Sequence, residues 1–213
     1  MSSASRQAPL DQWCAEHGVQ DALSGGYSTK PEFVPLGELW IGGRRLAHRR
    51  FAQPWDERRA ALMVDNGRVW IDGRDRRSGS PAQDLLQAGP LLVRDGRGAL
   101  TGVEDPEGFS APCEEPDDDL TAGREPRLAV ALGDEALLLV AADGRAPEDA
   151  GLTLWELAEL LAELGATAAM NLDGGSAGVV VCGGRRLNTP RDDDGNDMDF
   201  ASPSTTAIVN SPR

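Results

Sequence analysis

Apolar and polar positions alternate in short runs along most of this chain, and glycine-bearing turns separate the runs. "GELWIGGRRLAH" (37–48) is an apolar run, a Gly42-Gly43 turn and a second run, which predicts a hairpin. "RRAALMVDNGRVWIDG" (58–73) repeats the design around Asn66-Gly67, the strongest short hairpin signal. "DQWCAEH" (11–17) predicts a short helix, and "ALSGGYS" (22–28) an apolar approach to a Gly-Gly turn. "SPAQDLLQAGPLLVRDGR" (80–97) predicts a short helix, a Gly89-Pro90 corner, a strand and a turn.

After an acidic stretch the pattern sharpens. "RLAVALGDEALLLVAADGR" (127–145) predicts two apolar strands around a turn at Gly133–Glu135. "GLTLWELAELLAELGA" (151–166) predicts a helix, with Thr153 and Glu156 as a capping box and Gly165 as its stop. Leu154, Leu157, Leu161 and Leu164 recur at helical spacing and are expected to face the core. A strand "AAMNLD", a small-residue turn, a hairpin "GVVVCGGRRLN" (178–188) and a last strand "STTAIVN" (204–210) complete the series. The expected fold is a strand-rich α+β domain of mixed sheets with several hairpins and a few flanking helices. No repeat or break in composition divides it, so residues 11–213 are read as one domain behind a tail, 1–10.

Composition narrows the partners. Hydrophobic residues make up 40% of 213, enough for a sizeable core. Lys and Arg number 21 against 35 Asp and Glu, a formal net charge of -14. That balance excludes nucleic acid as a general partner and disfavours anionic membranes, while leaving room for a local arginine pocket. Lys30 is the single lysine, a bias that points to a high-GC bacterial genome. Cys14, Cys113 and Cys182 are odd in number and widely spaced, which fits neither a disulfide framework nor a zinc site. The opening "MSSASRQAPLDQW" has no apolar core and no run is long enough to span a bilayer, so a cytoplasmic protein is expected. Residues 104–126 read as an acidic surface loop, with a lid over a site as the alternative. "DDDGND" (192–197) has the flavour of a calcium loop without the EF-hand spacing, so no metal or other cofactor is expected beyond a weak claim for Ca²⁺.

The candidate chemistry gathers at two strand ends. "MNLDGGSAG" (170–178) carries Asp173 into a turn of small residues, and "ALLLVAADGR" carries Asp143 into another. Taken singly, each acid is an ordinary turn residue capping its own backbone. Each, however, ends a strand beside the 151–166 helix. If those strands lie side by side, both carboxylates emerge at one sheet edge, the minimum apparatus for cleaving a glycosidic bond. The glycines after Asp173 can offer N–H groups to an anion. Arg127, opening its strand, is either a solvated charge or a pocket guanidinium able to fork onto a phosphate.

The order of these motifs resembles the phosphodiester glycosidase family: an arginine-led strand, "DGR" (143–145), "GLTLWELA" (151–158), "NLDGGS" (171–176) and an asparagine-proline segment (188–190). "QAGPLLVRDG" (87–96) matches the family's Gly-Pro strand. The resemblance implies hydrolysis of a sugar joined through its anomeric carbon to a phosphodiester, with a sugar-phosphate small molecule as partner. It implies Asp173 and Asp143 as the carboxylates and Arg127 as the anion holder. Gly174, Gly175 and Ser176 would form the phosphate-facing loop, with Asn171, Asn188 and Gly89 as further substrate-binding positions. The chain departs from the family pattern in "GGSAG", in "SGGYS", where Ser24 stands for an asparagine, and in "FASPSTTAIV", which lacks a Glu and an Arg. The alternative is a non-catalytic module on the same fold that binds a sugar phosphate or a protein. The oligomeric state is open.

Overall fold

The structure, a computed structural model, describes residues 9–29, 32–77, 82–100, 107–109, 123–198 and 207–210. A short helix, α1 (Leu10–His17), leads into β1 (Asp21–Ser24). The hairpin β2 (Leu39–Ile41) and β3 (Arg44–Arg45) turns on Gly42-Gly43, and β4 (Ala60–Asp65) and β5 (Arg68–Gly73) turn on Asn66-Gly67. Asn66 and Gly67 both have positive φ (48° and 75°), the local geometry that lets the right-handed twist of the two strands continue through a two-residue loop.

β6 (Asp84–Gln87) falls where the sequence predicts a short helix. Its side chains alternate between half-buried and buried, and it is the central strand of its sheet, ordered β3-β2-β6-β4-β5. Two ready-made strand edges, β2 and β4, take up its backbone groups, and this pairing overrides a local preference carried by only four residues.

A second sheet holds β7 (Leu91–Arg94), β8 (Arg97–Gly98), β9 (Arg127–Leu132), β10 (Leu137–Ala142) and β11 (Ala168–Leu172), in the order β10-β9-β11-β7-β8. The helix α2 (Leu154–Glu163) joins β10 to β11. Its capping box is formed as predicted: the Glu156 N–H donates to Thr153 Oγ1 at 3.2 Å and the Thr153 N–H donates to the Glu156 carboxylate at 3.0 Å. Leu154, Leu157 and Leu161 are buried, but Leu164 is 57% exposed, because it lies past the last helical turn. The third sheet, β13-β12-β1-β14, is built from β12 (Val180–Cys182), β13 (Arg185–Arg186) and β14 (Ala207–Asn210) around β1.

The domain is mostly β, with three antiparallel sheets and two α-helices among the described residues. The expected mixed sheets are corrected: every pairing between these strands is antiparallel. The α2 crossover does connect two mutually parallel strands, β10 and β11, but β9 is inserted between them. The main core gathers Leu23, Leu62, Ile71, Leu128, Val130, Met170 and Leu172 from all three sheets. On the other face of the second sheet, α2 packs onto Ala129, Ala131 and Ala169, whose small side chains let the helix sit close. No helix among the described residues is long and apolar enough to cross a membrane.

Candidate functional site

The second sheet brings Asp143, Arg127 and Asp173 to one edge. Antiparallel pairing sets Ala142 opposite Arg127 and Leu172 opposite Leu128, so β9 begins where β10 and β11 end. The two acidic strand ends therefore share an edge, as the sequence suggests, but not as neighbours. Arg127 lies between them, and their chain paths are separated by two interstrand spacings, roughly 9–10 Å.

The corner after Asp173 is small because the backbone of β9 runs against it. A Cβ on Gly174 would stand 2.5 Å from the Pro126 carbonyl oxygen and 3.2 Å from Arg127 Cα. Gly175, at φ +59°, donates its N–H to that same carbonyl at 3.2 Å and begins a single 3₁₀ turn, Gly175–Ala177, that contains half-buried Ser176. The Asp173 N–H donates to the Gly25 carbonyl at 3.2 Å, which stitches the corner to the Gly-Gly turn that follows β1. Asp173 is half-buried.

Two arginines flank this corner in different ways. Arg127 is 3% exposed, and its guanidinium donates to the Leu152 and Gly123 carbonyls at 3.0 and 2.8 Å, holding the segments before β9 and α2. Arg145 is more open. Its guanidinium carbon and terminal nitrogens lie 3.6–3.9 Å from where a Cβ on Gly175 would stand. Nε donates to Glu125 at 2.8 Å and Nη1 pairs with Asp193 at 2.9 Å, so two carboxylates orient the fork. Arg145 itself sits at φ +60°, a backbone conformation uncommon for a residue with a side chain.

The segment after the third-sheet hairpin straps this edge. Asp143 accepts the Thr189 N–H at 2.8 Å, and Arg191 donates to the Gly144 carbonyl at 2.9 Å. Asn188 uses both ends of its amide on backbone: Nδ2 donates to the Gly178 carbonyl and Oδ1 accepts the Val180 N–H, each at 2.8 Å. In the "DDDGND" loop, the Asp192 carboxylate accepts the Asn196 amide together with the N–H groups of Asn196 and Asp194, and these bonds hold its pKa below the usual carboxylate range. Among the described residues no group of three or more His, Cys, Asp or Glu side chains is placed to hold a metal.

Beneath the corner lies a buried polar network. Asn171, 1% exposed, donates Nδ2 to Tyr27 Oη and the Leu172 carbonyl at 2.9 Å and to the Gly89 carbonyl at 3.3 Å. Tyr27 donates its own hydroxyl to the Gly89 carbonyl at 2.7 Å. Burial, and then the negative charge of Asp173, push the Tyr27 phenol far up, while the Asn171 hydrogen bond and the charges of Arg59 and Arg127 offset this only in part. Tyr27 therefore remains a donor at neutral pH.

The sequence pattern does not mark Glu107, Arg59 or Arg145 as site residues, all of which the fold brings close to these segments. Glu107 lies within the acidic 104–126 stretch; of that stretch, 107–109 and 123–126 are among the described residues. Its carboxylate accepts the Ala60 and Leu91 N–H groups, each at 2.7 Å, and sits 2.6 Å from where a Cβ on Gly89 would stand. Arg59 is buried between the rings of Phe51 and Phe109, 4.1 and 4.0 Å from their centroids. The signal that could have marked this anchor is Phe109, a large apolar residue in a run of acids and prolines.

The sequence profile described as phosphodiester glycosidase matches residues 17–209. The chain is 28% identical over 222 residues to the bovine protein N-acetylglucosamine-1-phosphodiester alpha-N-acetylglucosaminidase, an alignment covering 99% of this chain and 40% of that protein. The fold is similar to the catalytic domain of the zebrafish protein of that name, solved in a form auto-inhibited by its pro-peptide. The TM-score is 0.68 at 20% identity, over 95% of this chain and 65% of that one. A hypothetical protein from Synechocystis is also similar, with a TM-score of 0.57 at 19% identity over 85% of this chain and 50% of that one. The chain thus spans less than half the length of the bovine relative.

Proposed function

We propose a hydrolase of glycosyl-1-phosphate diesters, since this chain belongs to the phosphodiester glycosidase family, whose profile runs from residue 17 to 209. The bovine relative's name describes removal of N-acetylglucosamine from a phosphodiester, and a sugar of that kind is the proposed substrate class. One observation supports the assignment of roles above all: half-buried Asp173 leads directly into the glycine corner against which the oriented Arg145 guanidinium lies.

The chemistry asks for little acid assistance, because the leaving group is already a phosphate monoester. The demanding feature is the positive charge that develops at the anomeric carbon as the bond to oxygen breaks. Asp173 would stabilise that charge or draw a proton from the attacking water. Arg145 would hold the phosphate against the Gly174–Ser176 corner. Arg127 supports the corner from inside. Asp143 keeps its proposed place at the edge, roughly two strands from Asp173, and orients the Thr189 strap that closes it. Asn171, Asn188 and Gly89 shape the site through the backbone and through Tyr27.

A second reading rests on a separate observation. Ser24, where the family resemblance places an asparagine, is 1% exposed and accepts the Val179 N–H at 3.1 Å. A short hydroxyl committed to the backbone thus stands where the resemblance expects an amide, and the loss of that polar group suits a module that binds a sugar phosphate without cleaving it. The test is release of N-acetylglucosamine from a synthetic 1-phosphodiester, wild type against Asp173→Asn, which keeps shape and removes charge. The proposal expects a fall of at least about 100-fold in rate, a loss of about 2.7 kcal/mol of transition-state stabilisation. Equal rates would remove Asp173 from the mechanism. Calorimetric binding of the diester with no turnover by the wild type would select the second reading.

A further inference from the structure

A cleft of about 320 Å³ opens between the β2–β3 hairpin, the segment before β4 and the turn after β5, and it contains none of the residues placed in the glycosidase site. Four carboxylates and three guanidiniums line it, an excess of one negative charge. Its wall is braced. The Gln87 amide donates to the Asp56 carbonyl at 2.7 Å and accepts the Glu38 N–H at 3.0 Å, tying two lining segments together. Glu38 is satisfied by Arg74 Nε at 2.7 Å and Trp40 Nε1 at 2.9 Å.

Asp56 is not satisfied in the same way. Its side chain is only 7% exposed, and Oδ1 is buried with no hydrogen-bond partner among the described residues. The other oxygen meets Arg50 at 3.6 Å, too far for a hydrogen bond, and Arg50 is 64% exposed at the mouth. Buried carboxylate oxygens are normally paired, and Asp56, whose side chain lines the cleft, has neither oxygen within hydrogen-bond distance of a donor among the described residues. Arg45 is similarly uncommitted to its acid, reaching Glu38 at 4.0 Å and His48 at 3.2 Å. The cleft therefore offers an inner acceptor short of a cation and outer guanidiniums that are only loosely paired.

We infer that this cleft is a second binding site, taking a small zwitterion whose ammonium meets Asp56 and whose carboxylate or phosphate meets Arg45 and Arg50. The volume is at the lower end of small-ligand sites, which excludes bulky ligands. This inference is independent of the glycosidase reading, and a chain with no hydrolase activity would still show it.

Isothermal titration of the full chain at physiological salt tests it, with β-alanine and O-phosphoethanolamine as zwitterions and with ethanolamine and acetate as single-charge controls. Saturable one-site binding of at least one zwitterion is expected, tighter than either control; the tighter of the two identifies the anionic group. Asp56→Asn should weaken it about tenfold or more, leaving any diester hydrolysis at the wild-type rate. Arg50→Gln, at an exposed position, should weaken it several-fold and serves as the deciding variant if Asp56→Asn does not fold by circular dichroism. No saturable binding of either zwitterion, or binding unchanged in the deciding variant, overturns the inference.

Discussion

Replacing Gly174 with alanine asks whether the corner after Asp173 is a positioned part of the site. The new Cβ would stand 2.5 Å from the Pro126 carbonyl oxygen, where ordinary contact begins at 3.4 Å, so about 0.9 Å of displacement is required. Both near obstacles, Pro126 O and Arg127 Cα, are backbone atoms, so no side chain can swing away to make room. The same carbonyl accepts the Gly175 N–H at 3.2 Å, and a shift of that size lengthens the bond beyond use. Overpacking of this kind costs about 1–3 kcal/mol, which in a domain of this size lowers Tm by about 2–12 °C. A displacement of about 1 Å in a positioned group costs about 100-fold in rate. Thermal unfolding and diester hydrolysis should therefore both respond. Gly183→Ala is the control: φ is +57° and nothing lies within 4 Å of the new Cβ. It should lose about 1–2 kcal/mol to backbone strain alone and keep the wild-type rate. A Gly174→Ala protein that melts within 1 °C of wild type and hydrolyses at the same rate would refute the reasoning.

Three further predictions follow from single contacts. Thr153→Ala removes the Oγ1 that caps α2 and should cost about 1 kcal/mol, read as a Tm lower by about 2–4 °C; an unchanged melt would show that the cap carries nothing. Glu107→Gln sets an amide N–H₂ against the Ala60 or Leu91 N–H and should cost about 2–3 kcal/mol, measured by urea unfolding, with no change refuting the anchor. Burial raises the Glu38 carboxyl, but bonds from Arg74 and Trp40 and the charges of Arg74 and Arg45 outweigh it and hold it below its ordinary value. A depressed folded value gives stability that is present above the unfolded pKa, about 4.3, and is lost as pH falls through the folded one. The stability gap between wild type and Glu38→Gln should therefore narrow between pH 6 and pH 3, and a constant gap would refute the coupling.

What the sequence determined by itself is local. The turns at Gly42-Gly43, Asn66-Gly67 and Gly183-Gly184 and the capping box of α2 form where they are expected, because each depends on the φ preferences or hydrogen bonds of adjacent residues. The motif order likewise marked the family, since spaced motifs survive substitution of what lies between them. Tertiary structure alone decided the rest. It made "DLLQ" a central strand, inserted β9 between the two acidic strand ends, and drew Glu107 out of an acidic stretch to bind the starts of β4 and β7. It also buried Arg127 against carbonyls and brought Arg145 to the glycine corner. These outcomes are set by which strand edges and unpaired N–H groups meet across long separations. The free energy of burying a charge or pairing a strand belongs to that meeting and not to either segment on its own.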